Sequence, residues 1–550
     1  MSSDSDVLLL KEKALEYFSQ GNLVKALEII EEAGWLAPQD SDVLQLWGSL
    51  LAEADQFQDA VEAFEEALKY DREDSIVWAN YGLALFKLGQ SQEAELAYQK
   101  SLSCNPKNES AILNYARLLQ TQYRSEEAWE ALCQYGEIIT QWERSKIQAA
   151  RKGQIFWDFE DPIVLDLAGF ILIVLRRERE AIFYLEKAVR LAPEFITAWN
   201  NLGNAFAYNR DLEKAQNAFN KVLELNPIDI HASYNKATIT MMSGNFQDGW
   251  DGYEYRFIVR PDTQAPENYL QKPRWQGEAL HNKVLIIWGE QGYGDQIQFC
   301  RYLKIVRNHN PISTIKLLVR PELSRLMQEQ FEILGVNIQV ITSLEGNEDC
   351  DLQCPLLSLP YILKNNCNYI PHGVYFNILK KNKLFPTQNL KVGITWKTGF
   401  YGKNINDIHI RVALEKSCPV EYFVNILNVS DKINIYSLQI GNAIKELESY
   451  LNHPRLFSIG DGIEDFKDTA DLLSDLDLLI TVDTSVAHLA AAMGIRTWLL
   501  LNYYPDWRWG LSETQTPWYC SMKIYRQESP KNWQSIFDKI KGDLLALTLR

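Results

Sequence analysis

The sequence predicts two parts of different class: an all-α solenoid of stacked helix hairpins, then an α/β region on parallel strands. Two observations carry this. Ala26, Ala60, Ala94 and Ala128 recur every 34 residues, and Ala181 and Ala215 repeat the interval. Late in the chain an apolar run, Leu478 to Val482, enters Asp483-Thr484-Ser485 and a small-residue stretch that Gly494 stops. A second apolar run, Trp498 to Leu501, follows it. That is the strand–helix–strand order of a parallel sheet.

The early repeat has further fixed positions. Aromatic or aliphatic residues stand four places after the alanines: Ile30, Phe64, Tyr98, Leu132, Leu185 and Phe219. Pro38, Pro106, Pro193 and Pro227 close units, while Trp78-x-x-Tyr81-Gly82 and Trp199-x-x-Leu202-Gly203 open two of them. This matches the 34-residue tetratricopeptide signature. Small Ala and Gly let paired helices approach, larger apolar residues interlock with the next unit, and proline ends a helix. Six units are expected near 7–40, 41–74, 75–108, 109–142, 162–195 and 196–229, with a degenerate seventh at 230–258 carrying Trp250, Tyr253 and Tyr255. The step from Ala128 to Ala181 is 53 residues, 19 more than the repeat, so an insertion near 140–160 either extends a helix or forms a loop. Such arrays bind peptide segments or helices in a concave groove, or serve as spacers or dimer surfaces. The apolar stripe itself is core.

Composition bounds the rest. A chain of 550 residues exceeds one core, and 46% hydrophobic with 23% charged residues is the balance of a soluble globular protein. A net charge of −17 argues against nucleic acid or an anionic membrane as main partner. The N-terminus lacks the basic start and cleavage site of a secretory signal, and no run of about 18 apolar residues offers a transmembrane helix. A cytoplasmic location is the expectation. The eight cysteines are scattered; Cys350-x-x-x-Cys354 has no second pair or histidines to complete a zinc set, so reduced buried thiols are expected.

Residues 259–282, rich in proline and polar residues, read as a junction between the repeats at 1–258 and the α/β region. The strand Val284 to Trp288 leads into Glu290-Gln291-Gly292-Tyr293-Gly294-Asp295 and a helix from Gln296 to Val306. Gly292 and Gly294 permit a tight turn close to a ligand, or simply a turn. Asp295 is also a favourable partner for the new helix dipole. Further strands are expected at Ile315–Val319, Val336–Ile341, Val392–Trp396 and Ile433–Leu438. Ligands in such sheets collect at the carboxyl ends of strands. After Trp396, the basic loop with Lys397, Lys403 and Arg411 is either a solvated loop or a counter-charge for a diphosphate. At the late turn, Thr484 and Ser485 suit both helix capping and phosphate binding. His488 lies four residues beyond Thr484 on the same helix face, and Asp483 orients the turn. Asp475-x-Asp477 enters a buried strand and is rejected as a metal motif. Trp507, Trp509, Trp518 and Tyr519 either stack on a sugar or base or pack the last strand, and apolar spacing from Trp533 to Leu547 predicts a terminal helix docked on a lobe.

VDTSVAHLAAAMG with PDWRW resembles the C-terminal half of the heptosyltransferase-like (family 9-like) glycosyltransferases and their tetratricopeptide-fused relatives. SLQIG (437–441), DFKDTADLLSDLD (465–477), TPWYCSMKIYRQ (516–527) and WGEQGYGDQIQFCRYL (288–303) resemble the same group, in the same order, over roughly residues 270 to 530. The resemblance implies a GT-B type domain with two Rossmann-like lobes, 283–388 on the acceptor side and 389–550 on the nucleotide-sugar donor side. It implies inverting, metal-independent transfer without a cofactor. Asp295 would be the catalytic base, with Asp483, Thr484, Ser485, His488, Lys397 and Arg411 at the donor phosphates. The acceptor would be a protein recruited by the repeat groove or a glycan. The competing expectation is a non-catalytic tetratricopeptide scaffold carrying an inactive glycosyltransferase-like domain, since the loop after Trp396 departs from the family pattern.

Overall fold

The structure is a computed structural model that describes residues 2–143, 161–260, 272–347, 349–363, 370–371, 373–377, 384–399, 407–511 and 514–549. The chain forms two compact units, Met1–Asp211 and Leu212–Arg550.

The first unit is helical throughout its described residues. Hairpins such as Ser41–Glu53 with Phe57–Tyr70 and Ser75–Lys87 with Ser91–Cys104 follow the 34-residue step. Glycine decides their spacing. A Cβ on Gly48 would stand 2.7 Å from the Phe64 ring, on Gly82 2.8 Å from the Tyr98 ring, and on Gly169 2.3 Å from Leu185. The glycine and its knob are 16 residues apart each time, so the paired helices touch where a side chain is missing. Caps recur as well: the side chains of Asp40, Asp74 and Asn108 accept backbone N–H groups in the next helix's first turn, which Ser, Thr, Asp and Asn do best. Trp78 and Trp199 each donate their indole N–H at 2.9 Å to the carbonyl six residues earlier. The helix Ser125–Glu143 runs 19 residues against 13 for its hairpin partner Glu109–Thr121; the rest of the expected insertion, 144–160, lies outside the described residues.

The second unit opens with the helices Leu212–Leu225, Ile230–Met242 and Phe246–Tyr253. Ten strands follow: β1 (Val284–Trp288), β2 (Thr314–Leu318), β3 (Gln339–Ile341), β4 (Leu352–Pro355), β5 (Leu390–Thr395), β6 (Ile433–Ser437), β7 (Leu456–Ser458), β8 (Leu478–Val482), β9 (Thr497–Leu501) and β10 (Met522–Arg526). They form two all-parallel sheets, ordered β3-β2-β1-β4 and β10-β9-β8-β5-β6-β7. In the larger sheet the chain winds outward from β5 to β7, returns to β8 beside β5, and winds outward again. This doubly wound order places a switch point between β5 and β8, where neighbouring loops part and leave a crevice.

The expected strands appear within three residues of their sequence bounds, β1 and β8 matching them residue for residue; β4, β7 and β10 were not anticipated. The single helix expected from Gln296 to Val306 is instead Tyr293–Phe299, a 3₁₀ turn Cys300–Tyr302, and Leu303–His309. It starts early because Gly292 is the N-cap and the Asp295 carboxylate accepts the Gly292 N–H at 2.9 Å. The terminal helix Gln534–Thr548 buries Ile536, Phe537, Ile540 and Leu544 against the larger sheet, with Phe537 stacked on Tyr422. Most of the expected junction, 261–271, lies outside the described residues. No helix among the described residues is long and apolar enough to cross a membrane.

Candidate functional site

Loops at the carboxyl ends of both sheets border one cleft of about 1000 Å³. Gly292, Gly294 and Asp295 reach it from the turn after β1, and Lys397 from the end of β5. Asp483, Thr484, Ser485 and His488 come from the end of β8. Residues chosen from separate stretches of sequence therefore meet in one place. The exception is Arg411: the helix Asp407–Lys416 contains it, but its side chain lies outside the described residues, as does the whole of residue 403.

The turn after β8 is built from hydroxyls. Thr484 caps the helix Ser485–Ala492, its Oγ1 accepting the Ala487 N–H at 3.4 Å. That hydroxyl lies 3.1 Å from Thr481 Oγ1, which is bonded to Thr395 Oγ1 of the adjacent strand. The opening N–H groups of a helix lack intrahelical partners and carry partial positive charge, so this end welcomes an anion.

The helix Tyr293–Phe299 packs directly on that helix, and Gly294 makes the approach possible. A Cβ there would stand 2.8 Å from His488 Cδ2. His488 is buried, its Nδ1 2.8 Å from the Tyr519 hydroxyl and its ring 5.2 Å from Trp509. Burial drives the imidazole pKa down to about 4, against the pull of Asp483 and Asp295. It is neutral at physiological pH.

Charge in the cleft is arranged in pairs that sequence reasoning missed. Arg508 pairs with Asp506 at 2.8 Å and with Asp295, and its Nε donates to Gln298 at 2.9 Å. Lys416 pairs with Asp483 at 2.8 Å. Burial alone would lower the Lys416 ammonium, yet Asp483 and Asp506 hold it above its ordinary value. Burial likewise opposes ionisation of Asp506, but Arg508 and Lys416 keep its carboxyl below the usual range. Both cations are thus fully charged. Arg508 stands inside PDWRW and was legible as a basic residue between two tryptophans; nothing near Lys416 marks it. Lys397 is engaged elsewhere: its ammonium pairs with Glu446, which also accepts the Trp396 indole N–H at 3.0 Å. Gln439 Oε1 accepts the backbone N–H groups of Trp396 and Lys397 at 3.1 and 3.0 Å, tying the ends of β5 and β6 together.

The aromatic residues divide. Trp507, Trp509 and Trp518 are all core, and of the three Trp509 also lines the cleft. Trp507 lies 5.7 Å from Trp250 and 5.3 Å from Tyr253, and Trp518 5.2 Å from Phe246. The helix Phe246–Tyr253, expected as a degenerate repeat, therefore braces the loop that carries Arg508. A second brace is ionic: buried Arg256 makes two bonds to Glu290, at 2.8 and 2.9 Å, just before the Gly292 turn. Asp475 and Asp477 are both engaged by Lys391, Asp475 by its ammonium at 2.7 Å and Asp477 by its backbone N–H at 2.8 Å. No cluster of metal-ligating side chains occurs among the described residues.

A helical repeat unit and a doubly wound parallel α/β unit with a charged cleft define the class of this protein. Tetratricopeptide repeat profiles match residues 46–109, 97–130 and 196–229, so the N-terminal region carries these repeats. Protein FlbA of Caulobacter vibrioides is 24% identical over 424 residues, covering 69% of this chain and 66% of FlbA. The chloroplastic tetratricopeptide repeat domain-containing protein PYG7 of Arabidopsis thaliana is 36% identical over 74 residues, 13% of this chain and 25% of PYG7. The chain thus spans just under two thirds of the first relative's length and a quarter of the second's. Among solved structures, a tetratricopeptide repeat protein from Parabacteroides merdae aligns with a TM-score of 0.35 and 14% identity over 46% of this chain and 94% of that one. YrrB, a tetratricopeptide repeat protein with an unusual peptide-binding site, aligns at 0.29 with 21% identity over 37% and 94%.

Proposed function

We propose that the second unit is a GT-B type glycosyltransferase that moves a sugar from a nucleoside diphosphate donor to an acceptor hydroxyl, and that the repeats recruit a protein acceptor or partner. The observation that carries this reading is the convergence of the Gly292–Asp295 turn and the Asp483–His488 turn on one cleft beside two cations, buried Arg508 and half-buried Lys416. The diphosphate sits at the N-terminus of the helix Ser485–Ala492, near Thr484 and Ser485. Lys416 and Arg508 supply positive charge as the sugar–phosphate bond breaks, each charge-assisted bond contributing about 1.5–3 kcal/mol. Asp295, held in place by Arg508 and the Gly292 N–H, keeps lone pairs open to the cleft and takes the proton of the attacking hydroxyl. Tetratricopeptide repeats support a protein-interaction role, and a protein acceptor follows from their fusion to the transferase unit.

Calorimetric titration with nucleoside diphosphates and nucleotide-sugars, without added metal, tests the reading. Binding that Thr484→Ala weakens about tenfold, followed by sugar transfer that Asp295→Asn abolishes, is the expected result. Well-folded protein that binds no member of the panel would leave a scaffold with an inactive transferase-like unit.

A further inference from the structure

The pocket behind His488 contains a charge that the proposed reaction does not use. Arg301 is buried, yet among the described residues no carboxylate pairs with it. Its guanidinium donates to backbone oxygens of Gln298 (2.8 Å), Trp518 (2.8 Å) and Pro371 (3.3 Å), and to the Tyr375 hydroxyl at 3.0 Å. It also lies over the rings of Tyr375 and Tyr519, 4.5 and 4.8 Å from their centroids. The hydroxyls continue the chain. Tyr375 donates its proton to the Ile297 carbonyl at 3.1 Å, and Tyr519 stands 3.4 Å from the Tyr375 oxygen and 2.8 Å from His488 Nδ1.

Proton counting along this chain fixes a tautomer. Tyr375 is the donor to the Ile297 carbonyl and, at the longer distance, towards the Tyr519 oxygen, so neither contact draws on the Tyr519 proton. Tyr519 has one proton and two acceptors in reach. The Tyr375 oxygen is the poorer one, more distant and already accepting from a cation, while Nδ1 is at ideal distance for O–H donation. The positive field of Arg301 makes the Tyr519 hydroxyl a stronger donor. Charges on the other side act in the same sense: Asp295, from the packed helix, and Asp483, from the preceding turn, favour the positive end of an N–H dipole at the cleft, with Arg508 opposing them. Nε2 has no partner among the described residues, and His488 lines the cleft. Beside it, the buried Trp509 Nε1 also has none among the described residues.

We propose that Tyr519, backed by Tyr375 and Arg301, locks His488 as the Nε2–H tautomer, and that this nitrogen donates a hydrogen bond to an oxygen of the bound nucleoside diphosphate. The choice of ligand rests on the transferase reading; the tautomer does not. His488 is then a fixed neutral donor, and Tyr519 is its positioning residue. Because burial keeps the ring neutral, its contribution does not titrate between about pH 5.5 and 9.

Nitrogen-15 spectra of histidine-labelled full-length protein test this, with the His488 signals among the seven histidines identified by loss in His488→Gln. The expected result is a neutral ring protonated at Nε2 in the free protein, unchanged from pH 6 to 8. Tyr519→Phe should give a tautomer mixture and a five- to tenfold weaker affinity for a nucleoside diphosphate. Tyr375→Phe leaves Tyr519 no acceptor but His488, so it should keep the Nε2–H signature. A wild-type ring protonated at Nδ1, or a Tyr519→Phe ring identical to wild type, would overturn the lock. If Tyr519→Phe does not fold, the wild-type spectrum still decides. Absent nucleotide binding with the Nε2–H tautomer intact overturns the ligand and the transferase reading while leaving the lock standing.

Discussion

The interiors of the two units are held together by different chemistry. Between the hairpins of the first, contact is made by absence, Gly48, Gly82 and Gly169 each receiving one large side chain. Around the cleft of the second, Arg256, Glu290, Arg301 and Arg508 are buried, and hydrogen bonds of defined direction hold them. An apolar interlock needs only shape and tolerates its neighbours' drift. A buried charge fails when one partner is removed, so it is retained where position matters. The difference teaches which unit presents surfaces and which presents a site.

The contrast breaks most visibly at Arg508. Arg508→Met leaves Asp295 without its counter-charge and Asp506 with Lys416 alone, and removing one partner of a buried pair costs about 3–5 kcal/mol. Thermal unfolding should fall by several degrees, and nucleoside diphosphate binding should vanish even below the transition. A variant within about 1 kcal/mol of the parent would mean that these carboxylates ionise without Arg508, and the site would be no more ionic than the repeats.

Two glycine variants sharpen the same comparison, since each adds a methyl group 2.8 Å from a ring atom. Gly82→Ala pushes on Tyr98 and should lower stability by about 1–3 kcal/mol, the usual range for overpacking, with ligand affinity unchanged. Gly294→Ala pushes on His488 and should weaken nucleotide binding about tenfold or more. Denaturant titration with calorimetry separates the two effects. Equal loss of affinity in both variants would defeat the division between surface and site.

How far the sequence reveals each unit follows from the same physics. The repeat was legible because every hairpin solves one packing problem, so Ala60, Ala94 and their knobs recur at a fixed step. The heart of the larger sheet was legible because β5 and β8 are buried on both faces and read as apolar runs. β7, three residues long, and β10, with Lys523 and Arg526 in it, carry no such run and take their place from their neighbours. Asp295, Thr484 and His488 stand at the cap or in the first turn of helices that follow strand ends, where turn chemistry announces them. Lys416 and the pairing of Arg508 depend on which loops meet across the cleft, and no local pattern encodes that.

Titration offers a smaller test inside the first unit, where Asp166 is the counterexample to an apolar interior. Burial raises its carboxyl to about 6, against a 2.7 Å bond from Asn201 and the field of Arg117. The folded state therefore binds a proton that the unfolded chain, with an ordinary aspartate near 4, gives up. Stability from this group is full below about pH 4 and declines as pH rises towards 6. Asp166→Asn should remove that slope and stabilise the unit by about 1–2 kcal/mol at pH 7. Unfolding curves at pH 4.5 and 7 check it; a variant destabilised at pH 7 would show that the charged form is required.

The smallest effect is expected at Lys397, the residue that its position after β5 singles out. Its side chain is 34% exposed and that of Glu446 36%, so their pair lies in the range of surface ion pairs, worth less than about 1 kcal/mol. Lys397→Met should barely move the melting temperature. Binding should change no more than about threefold, because solvent screens this partly exposed ammonium while Lys416 and Arg508 stand deeper. The Trp396 indole keeps Glu446 partnered in the variant, so no buried carboxylate is stranded. A tenfold loss of affinity would mean that the ligand draws Lys397 away from Glu446, and the cleft would then gain a third cation through rearrangement rather than through a preformed pair.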